Sequence, residues 1–222
     1  MILEYQNINN EFYNIKEVAN TYFHMSSKLI VKLKNKQKIL LNGNIAKITD
    51  QLQKGDIVQF DLNYEEESEN IVPTKMDLEI VFEDDALLII NKPANMPVHP
   101  SINHYEDSLS NGVKYYFNQI GLNKKIRPVN RLDKDTSGLV VFVKNEYIQE
   151  NLINQMKSNL FQKEYLAILW RNFTTKSRNH HRPYRKKRRK YYRKRNKLQK
   201  RPRSHNRVQS FKRSKYPKPS TI

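Results

Sequence analysis

The stretch Arg127-Pro128-Val129-Asn130-Arg131-Leu132-Asp133-Lys134-Asp135-Thr136-Ser137-Gly138 ends in the apolar run Leu139-Val140-Val141-Phe142 and gathers the side chains most able to do chemistry. Asp133-x-Asp135-x-Ser137-Gly138 has the spacing that opens a calcium loop, but position twelve falls on Lys144 instead of a bidentate Glu, and a strand is expected to follow. Calcium is therefore set aside. Composition alone also fits a turn rich in Asp, Thr, Ser and Gly between two strands. A carboxylate held there, such as Asp133, can serve as a nucleophile or as a base, and the residues do not choose between them. Arg131 reads either as a working cation or as a solvent-facing strand-end charge. His99 and His104 have no third ligand at a recognisable spacing, so loop polar contacts are expected and no metal.

Elements must position these groups. Leu78–Phe82 and Ala86–Asn91 read as strands around a Glu83-Asp84-Asp85 turn, and Gly138–Val143 as another strand. Asp107 or Ser108 can cap a helix bearing Leu109, Val113, Tyr116, Phe117 and Ile120, with Gly121 where a C-cap belongs. A helix with Ile148, Leu152 and Met156 in register follows, then a strand-like run from Glu164 to Trp170. There Tyr165 would pack in the core with Ala167 and Leu169, or offer an aromatic surface. The class is α+β, without a dinucleotide-binding glycine pattern.

Earlier in the chain, Glu65-Glu66-Glu67-Ser68-Glu69-Asn70 has no apolar residue to bury and precedes Pro73, which predicts a solvated linker with no function of its own. Before it, Ile15, Val18, Ala19, Tyr22 and Phe23 lie on one helix face. Ser26 or Ser27 caps a second helix that turns Leu29, Ile30 and Leu33 inward. Asn42-Gly43 supplies hairpin geometry between Lys38 and Ala46, and Leu52–Phe60 adds a turn and a strand. Lys28, Lys32, Lys34, Lys36 and Lys38 mark the second helix and its exit, as a phosphate-binding side or as a plain solvated face.

The 222 residues leave room for one domain or two small ones. The absence of cysteine excludes disulfides, thiol nucleophiles and cysteine-ligated metals, and an intracellular, cytoplasmic setting is expected. The start has no signal pattern and no apolar run is long enough to span a bilayer, so a soluble protein with no membrane partner is expected. The formal charge of +19 is unevenly spread: 22 of the 41 Lys/Arg and none of the 22 Asp/Glu lie after Trp170, so residues 1–170 carry 19 basic against 22 acidic. That last segment has no glycine and few aliphatic residues, and disorder is expected because burial cannot offset chain entropy.

Two resemblances add to this reading. The Ser-initiated helix, its lysine-rich exit, the Ile-x-x-Asn-Gly turn and the later Lys-Gly-Asp-x-Val strand, across about residues 10–62, resemble an S4-type RNA-binding module. Arg131-Leu132-Asp133-x-x-Thr136-Ser137-Gly138 resembles the active-site signature of the RluA-type pseudouridine synthases. Ile89-Ile90-Asn91-Lys92-Pro93 through Pro100 is similar to that family's strand and Lys-Pro loop, and Gln162-Lys163-Glu164-Tyr165-Leu166-Ala167 to its second motif. Where the family pattern commonly has His, this chain has Asn130.

The resemblance implies that Asp133 is the reacting carboxylate, that Arg131 helps displace the target nucleotide, and that Tyr165 lies under the uracil. It implies Lys28, Lys32, Lys34 and Lys36 as the RNA-binding face, and structured RNA, ribosomal before transfer RNA, as the partner of a monomer. The isomerisation breaks an N-glycosidic bond, turns the uracil and rejoins it through C5 without net redox change, so no cofactor is implied. The base must first be swung out of its stack, at a cost of a few kcal/mol.

The motifs end at about Trp170, whereas the family continues with residues that complete the sheet and supply a basic partner for the aspartate. The basic segment then reads as the product of a shifted frame, or as an arm such as Tyr184–Arg193 that neutralises phosphates and stacks on bases. The expected organisation is a 1–72 S4-like module with linker, a 73–170 N-terminal part of a mixed-sheet pseudouridine synthase domain, and a 171–222 disordered basic tail. The alternative to a working synthase is a catalytically inactive RNA-binding protein.

Overall fold

The structure, a computed structural model, describes residues 1–66 and 71–168. The expected tail, 171–222, lies outside the described residues. The chain divides into two compact units, Met1–Lys163 and Glu164–Ile222. The first contains two sheets, each with its own core.

The first sheet has the order β1-β4-β2-β3 and is antiparallel throughout, with β1 at Ile2–Gln6, β2 at Ile39–Leu41, β3 at Asn44–Ile45 and β4 at Ile57–Asp61. Asn42 (φ 49°) and Gly43 (φ 80°) both sit in the left-handed region, which is the turn chemistry that Asn-Gly supplies to a two-residue hairpin. Strand β1 was not expected. Its five residues pair with β4, more than fifty residues later in the chain, and no local turn announces such a partner.

Against this sheet pack α1 (Ile15–Glu17), continued by a π-helical turn over Val18–Tyr22, and α2 (Ser27–Asn35). Ser26 caps α2, its hydroxyl accepting from the Leu29 N–H at 3.4 Å, and Leu29, Ile30 and Leu33 face inward as the spacing predicts. Ile15, Val18 and Ala19 are buried with them, while Tyr22 stays 53 % exposed because the π-helical turn ends the regular 3.6-residue repeat. Val58, Phe60 and Leu62 close the core from the sheet.

The second sheet is β5 (Ile80–Glu83), β6 (Leu87–Lys92) and β7 (Gly138–Val143), in that order and antiparallel. Helix α3 (Leu109–Gln119) lays Leu109, Val113 and Phe117 on Leu88, Ile90, Val140 and Phe142. Its N-cap is Ser108, closed by a reciprocal contact with Asn111, and Gly121 (φ 69°) follows its end. Helix α4 (Glu146–Lys157) is capped by Asn145, and its Tyr147 packs on the core of the first sheet.

Two expectations are corrected. Residues 164–168 form no strand; Leu166 and Ile168 are almost fully exposed, and an apolar run becomes a strand only where a neighbour completes its hydrogen bonds. Nor is the acidic stretch solvated throughout: Glu65 is exposed, but the next residue is not. Glu66 buries its side chain to 8 % exposure against Arg127, while 67–70 lie outside the described residues. Among the described residues no helix is long and apolar enough to cross a membrane.

Candidate active-site hairpin

Asp133 sits at the tip of a hairpin. One arm is β7; the other is the irregular segment 127–130, which follows β7 antiparallel through the Pro128–Phe142 bridge. The Val129 N–H donates to the Val141 carbonyl at 2.8 Å, and the Val143 N–H to the Arg127 carbonyl at 3.0 Å. Asn130 finishes the arm with its side chain. Its amide donates to the Leu139 carbonyl at 2.9 Å and its carbonyl oxygen accepts from the Val141 N–H at 2.8 Å, as an added backbone unit would. The residue that departs from the family's His is thus the clamp at the neck of the loop, buried to 8 %.

A second clamp comes from the Lys-Pro loop. Lys92 lies opposite Gly138 in the β6–β7 register and is fully buried. Its ammonium donates to the carbonyls of Pro93 (2.8 Å), Met96 (2.8 Å) and Lys134 (3.1 Å), tying two loops together through one cation. Burial pushes its pKa below the ordinary lysine value, and nearby Asp135 pulls the other way. Three carbonyl dipoles compensate a charge that would otherwise be costly to bury. Gly138 opens β7 at φ 124°, a conformation L side chains rarely adopt, so the loop can enter the strand only through glycine.

The tip itself is turn-like and exposed. The Thr136 N–H donates to the Asp133 carbonyl at 3.1 Å, and Arg131, Asp133 and Asp135 present their side chains to solvent. The Asp133 carboxylate makes no hydrogen bond or ion pair among the described residues. Arg131 lies near His99, whose imidazole is held below its ordinary pKa first by burial and then by the Arg131 charge. His99 Nδ1 and Ser110 Oγ are 3.4 Å apart. His104 stands between Asp107 (2.7 Å from Nδ1) and Lys134 (3.2 Å from Nε2). No cluster of three or more His, Cys, Asp or Glu suited to a metal occurs among the described residues.

The lysines of α2 divide. Lys28, Lys32 and Lys36 recur every four residues and line one open cleft of about 510 Å³, together with Lys125, Arg127 and Glu66. Lys28, Lys36 and Lys125 are exposed. Lys32 is committed to ion pairs with Glu66 and Glu146 (3.1 Å), and Lys34 does not line the cleft because two residues turn it away from Lys32 on the helix. The expected face is therefore three lysines, one of them already neutralised. Tyr165 belongs to the second unit, Glu164–Ile222, where it is 64 % exposed.

Residues 86–221 match the family model described as RNA pseudouridylate synthase, more than half of the chain. This chain belongs to the RNA pseudouridylate synthase family. The matched span runs past Trp170, where the sequence motifs end. The chain is 34 % identical over 159 residues to the uncharacterized RNA pseudouridine synthase YhcT of Bacillus subtilis (72 % of this chain, 52 % of that protein). It is 41 % identical over 109 residues to ribosomal large subunit pseudouridine synthase D of Blochmanniella floridana (49 % and 34 %). The same-named enzyme of Escherichia coli is 32 % identical over 133 residues (60 % and 40 %). The chain thus spans between a third and about half of the length of these relatives. Among solved structures, human RNA pseudouridylate synthase domain containing 1 superposes with a TM-score of 0.30 at 21 % identity, covering 37 % of this chain and 28 % of that one.

Sequence reasoning missed two residues of this chain. Arg127 and Glu66 form a buried, bidentate ion pair at the foot of the hairpin, both contacts 2.7 Å. A charge run read in isolation looks solvated. The available signal was Arg127 just ahead of the apolar and Asn positions of the hairpin arm.

Proposed function

We propose that this chain isomerises uridine to pseudouridine in structured RNA, ribosomal RNA before transfer RNA, acting as a cytoplasmic monomer without a cofactor. The observation that carries the reading is a carboxylate, Asp133, standing unpaired among the described residues at the tip of a hairpin held by Asn130 and Lys92, within the span that matches the family. A free carboxylate on a fixed stem can approach an everted nucleoside as nucleophile or as base. Arg131, two residues away at the same exposed tip, carries the charge to fill the gap left by the everted base or to hold a flanking phosphate. Tyr165 is assigned the face of the uracil, and an aromatic ring suits a flat base.

RNA is drawn in by the S4-like module, through Lys28, Lys36 and the neighbouring Lys125, with Lys34 adding charge outside the cleft. These are point charges for phosphates and give affinity before sequence choice. Residues after Trp170, whether a shifted frame or a genuine basic arm, add a polycation.

A second reading, a catalytically inactive RNA-binding protein, is favoured by the exposure of Asp133. Conversion of uridine in ribosomal RNA by the purified chain, set beside Asp133→Ala, separates the two. The synthase reading predicts conversion by the unmodified chain and none by Asp133→Ala, with equal RNA affinity. Equal, salt-sensitive binding with no conversion by either supports the binder.

A further inference from the structure

Away from the hairpin tip, charged groups are buried together where the two sheets of the first unit meet. Glu66 receives both guanidinium nitrogens of Arg127 at 2.7 Å and also the Lys32 ammonium. Glu146, in the first turn of α4, takes Lys32 at 3.1 Å and lies 3.7 Å from Arg127, and the Tyr64 hydroxyl donates to it at 3.2 Å. Arg127 and Glu66 are only 7 % and 8 % exposed. Residues 62–66 form a strap after β4 whose backbone is held alongside, with Lys124 donating to the carbonyls of Leu62 (2.8 Å) and Tyr64 (2.7 Å) and the Glu66 N–H donating to the Asn123 carbonyl at 2.9 Å.

Buried ion pairs add little net stability over a well-packed apolar pair of the same volume. What a fork-to-fork arginine and carboxylate add is geometry, because two parallel hydrogen bonds fix distance and plane at once. The four charged groups come from four places: α2, the strap, the foot of the hairpin and α4. Arg127 is itself a hydrogen-bonded residue of the hairpin arm, through the Val143 N–H to its carbonyl at 3.0 Å. From Arg127 to Asn130 the arm is pinned to β7, so a displacement at its foot is carried to the tip. We infer that Arg127 and Glu66 are positioning residues that fix the Asp133 hairpin relative to the lysine-bearing helix α2. The inference rests on the proposed synthase reading for its consequence in turnover, and on geometry alone for the mechanical coupling. RNA held by α2 is then presented to Asp133 in one register, and loosening the pair costs turnover without costing affinity.

The test compares the full chain with Arg127→Lys, Glu66→Gln and a control, Glu83→Gln, which breaks the Glu83–Lys144 ion pair (2.8 Å) of strand β5. Lysine keeps the charge of Arg127 but not the fork. Three quantities are measured: kcat and KM on ribosomal RNA fragments, the RNA dissociation constant, and amide hydrogen exchange at Val129, Thr136 and Val143 against Phe60 of β4. Arg127→Lys and Glu66→Gln are expected to lower kcat by about 10- to 100-fold, the scale of a small misplacement of reacting groups, with KM and the dissociation constant little changed. Exchange at the three hairpin amides should rise about 10-fold while Phe60 holds, since local opening is separable from global unfolding. Glu83→Gln should move none of these. Exchange rising evenly in both sheets, or hairpin exchange unchanged, overturns the inference. So does a full kcat in Arg127→Lys. If the unmodified chain converts no uridine, the synthase reading fails by itself and the exchange measurements still decide the coupling.

Discussion

Glu66 and Asp133 are carboxylates within reach of the same hairpin, one at its foot and one at its tip, and their surroundings are opposite. Glu66 is enclosed, held by Arg127 and Lys32, and its pKa is lowered to about 2 because those hydrogen bonds and charges outweigh the cost of burial. Asp133 is exposed, with its hydrogen-bonding capacity unspent among the described residues. A carboxylate locked as an anion by a guanidinium fork cannot act as a base or reach a substrate; it can only hold position. The difference divides labour: ionic geometry is spent at the foot so that the acid at the tip can stay free.

Removing one partner at the foot gives the largest expected effect. Arg127→Ala strands Glu66 with Lys32 as its remaining cation and should cost about 3 kcal/mol in urea unfolding, the lower end for breaking a buried pair. The double replacement Glu66→Leu with Arg127→Leu should recover most of that loss. If the single variant costs nothing, the foot is not a buried pair in the energetic sense and the contrast with the tip disappears.

Acid sharpens the same contrast. The folded pKa of Glu66, about 2, lies below its ordinary value of 4.5, so its contribution is complete above that ordinary value and is lost as pH falls toward 2. The stability lost across that window should be about 2 to 3 kcal/mol at 1.36 kcal/mol per unit. Glu66→Gln should flatten this part of the pH–stability curve, and an unchanged acid limb in that variant would assign the loss to other carboxylates.

The neck comes next. Asn130→Ala removes one donor and one acceptor that serve β7 and should cost about 2 kcal/mol, read by thermal unfolding. Smallest is a change remote from both carboxylates. Gly43→Ala places a side chain at φ 80° and should cost about 1 kcal/mol with uridine conversion unaltered, which checks that turnover tracks the hairpin and not stability at large.

Features written in neighbouring residues were legible. The Asn42-Gly43 turn, the Ser26 and Ser108 caps, Gly121 after α3 and the full extent of β7 all follow from local backbone chemistry. Features set by distant partners were not. Strand β1 is a strand because β4 returns beside it, and Glu66 is buried because Arg127, 61 residues later, meets it. Residues 164–168 show the same rule from the other side, since their apolar run predicts a strand that the described residues do not form. For the site, Asp133 and Arg131 are brought to one loop, as their spacing requires. The role of Asn130 as a clamp, and the bond from Lys92 across to the Lys134 carbonyl, emerge only when both loops are seen in space.

The most direct test of the account is release of tritium from C5 of labelled uridine in ribosomal RNA, since rejoining the base through C5 must expel that hydrogen. The full chain should release tritium, and Asp133→Asn, equal in size and lacking only the acid, should bind the RNA as tightly and release none. Release by Asp133→Asn at the rate of the unmodified chain would place the chemistry elsewhere and contradict the division of labour between tip and foot.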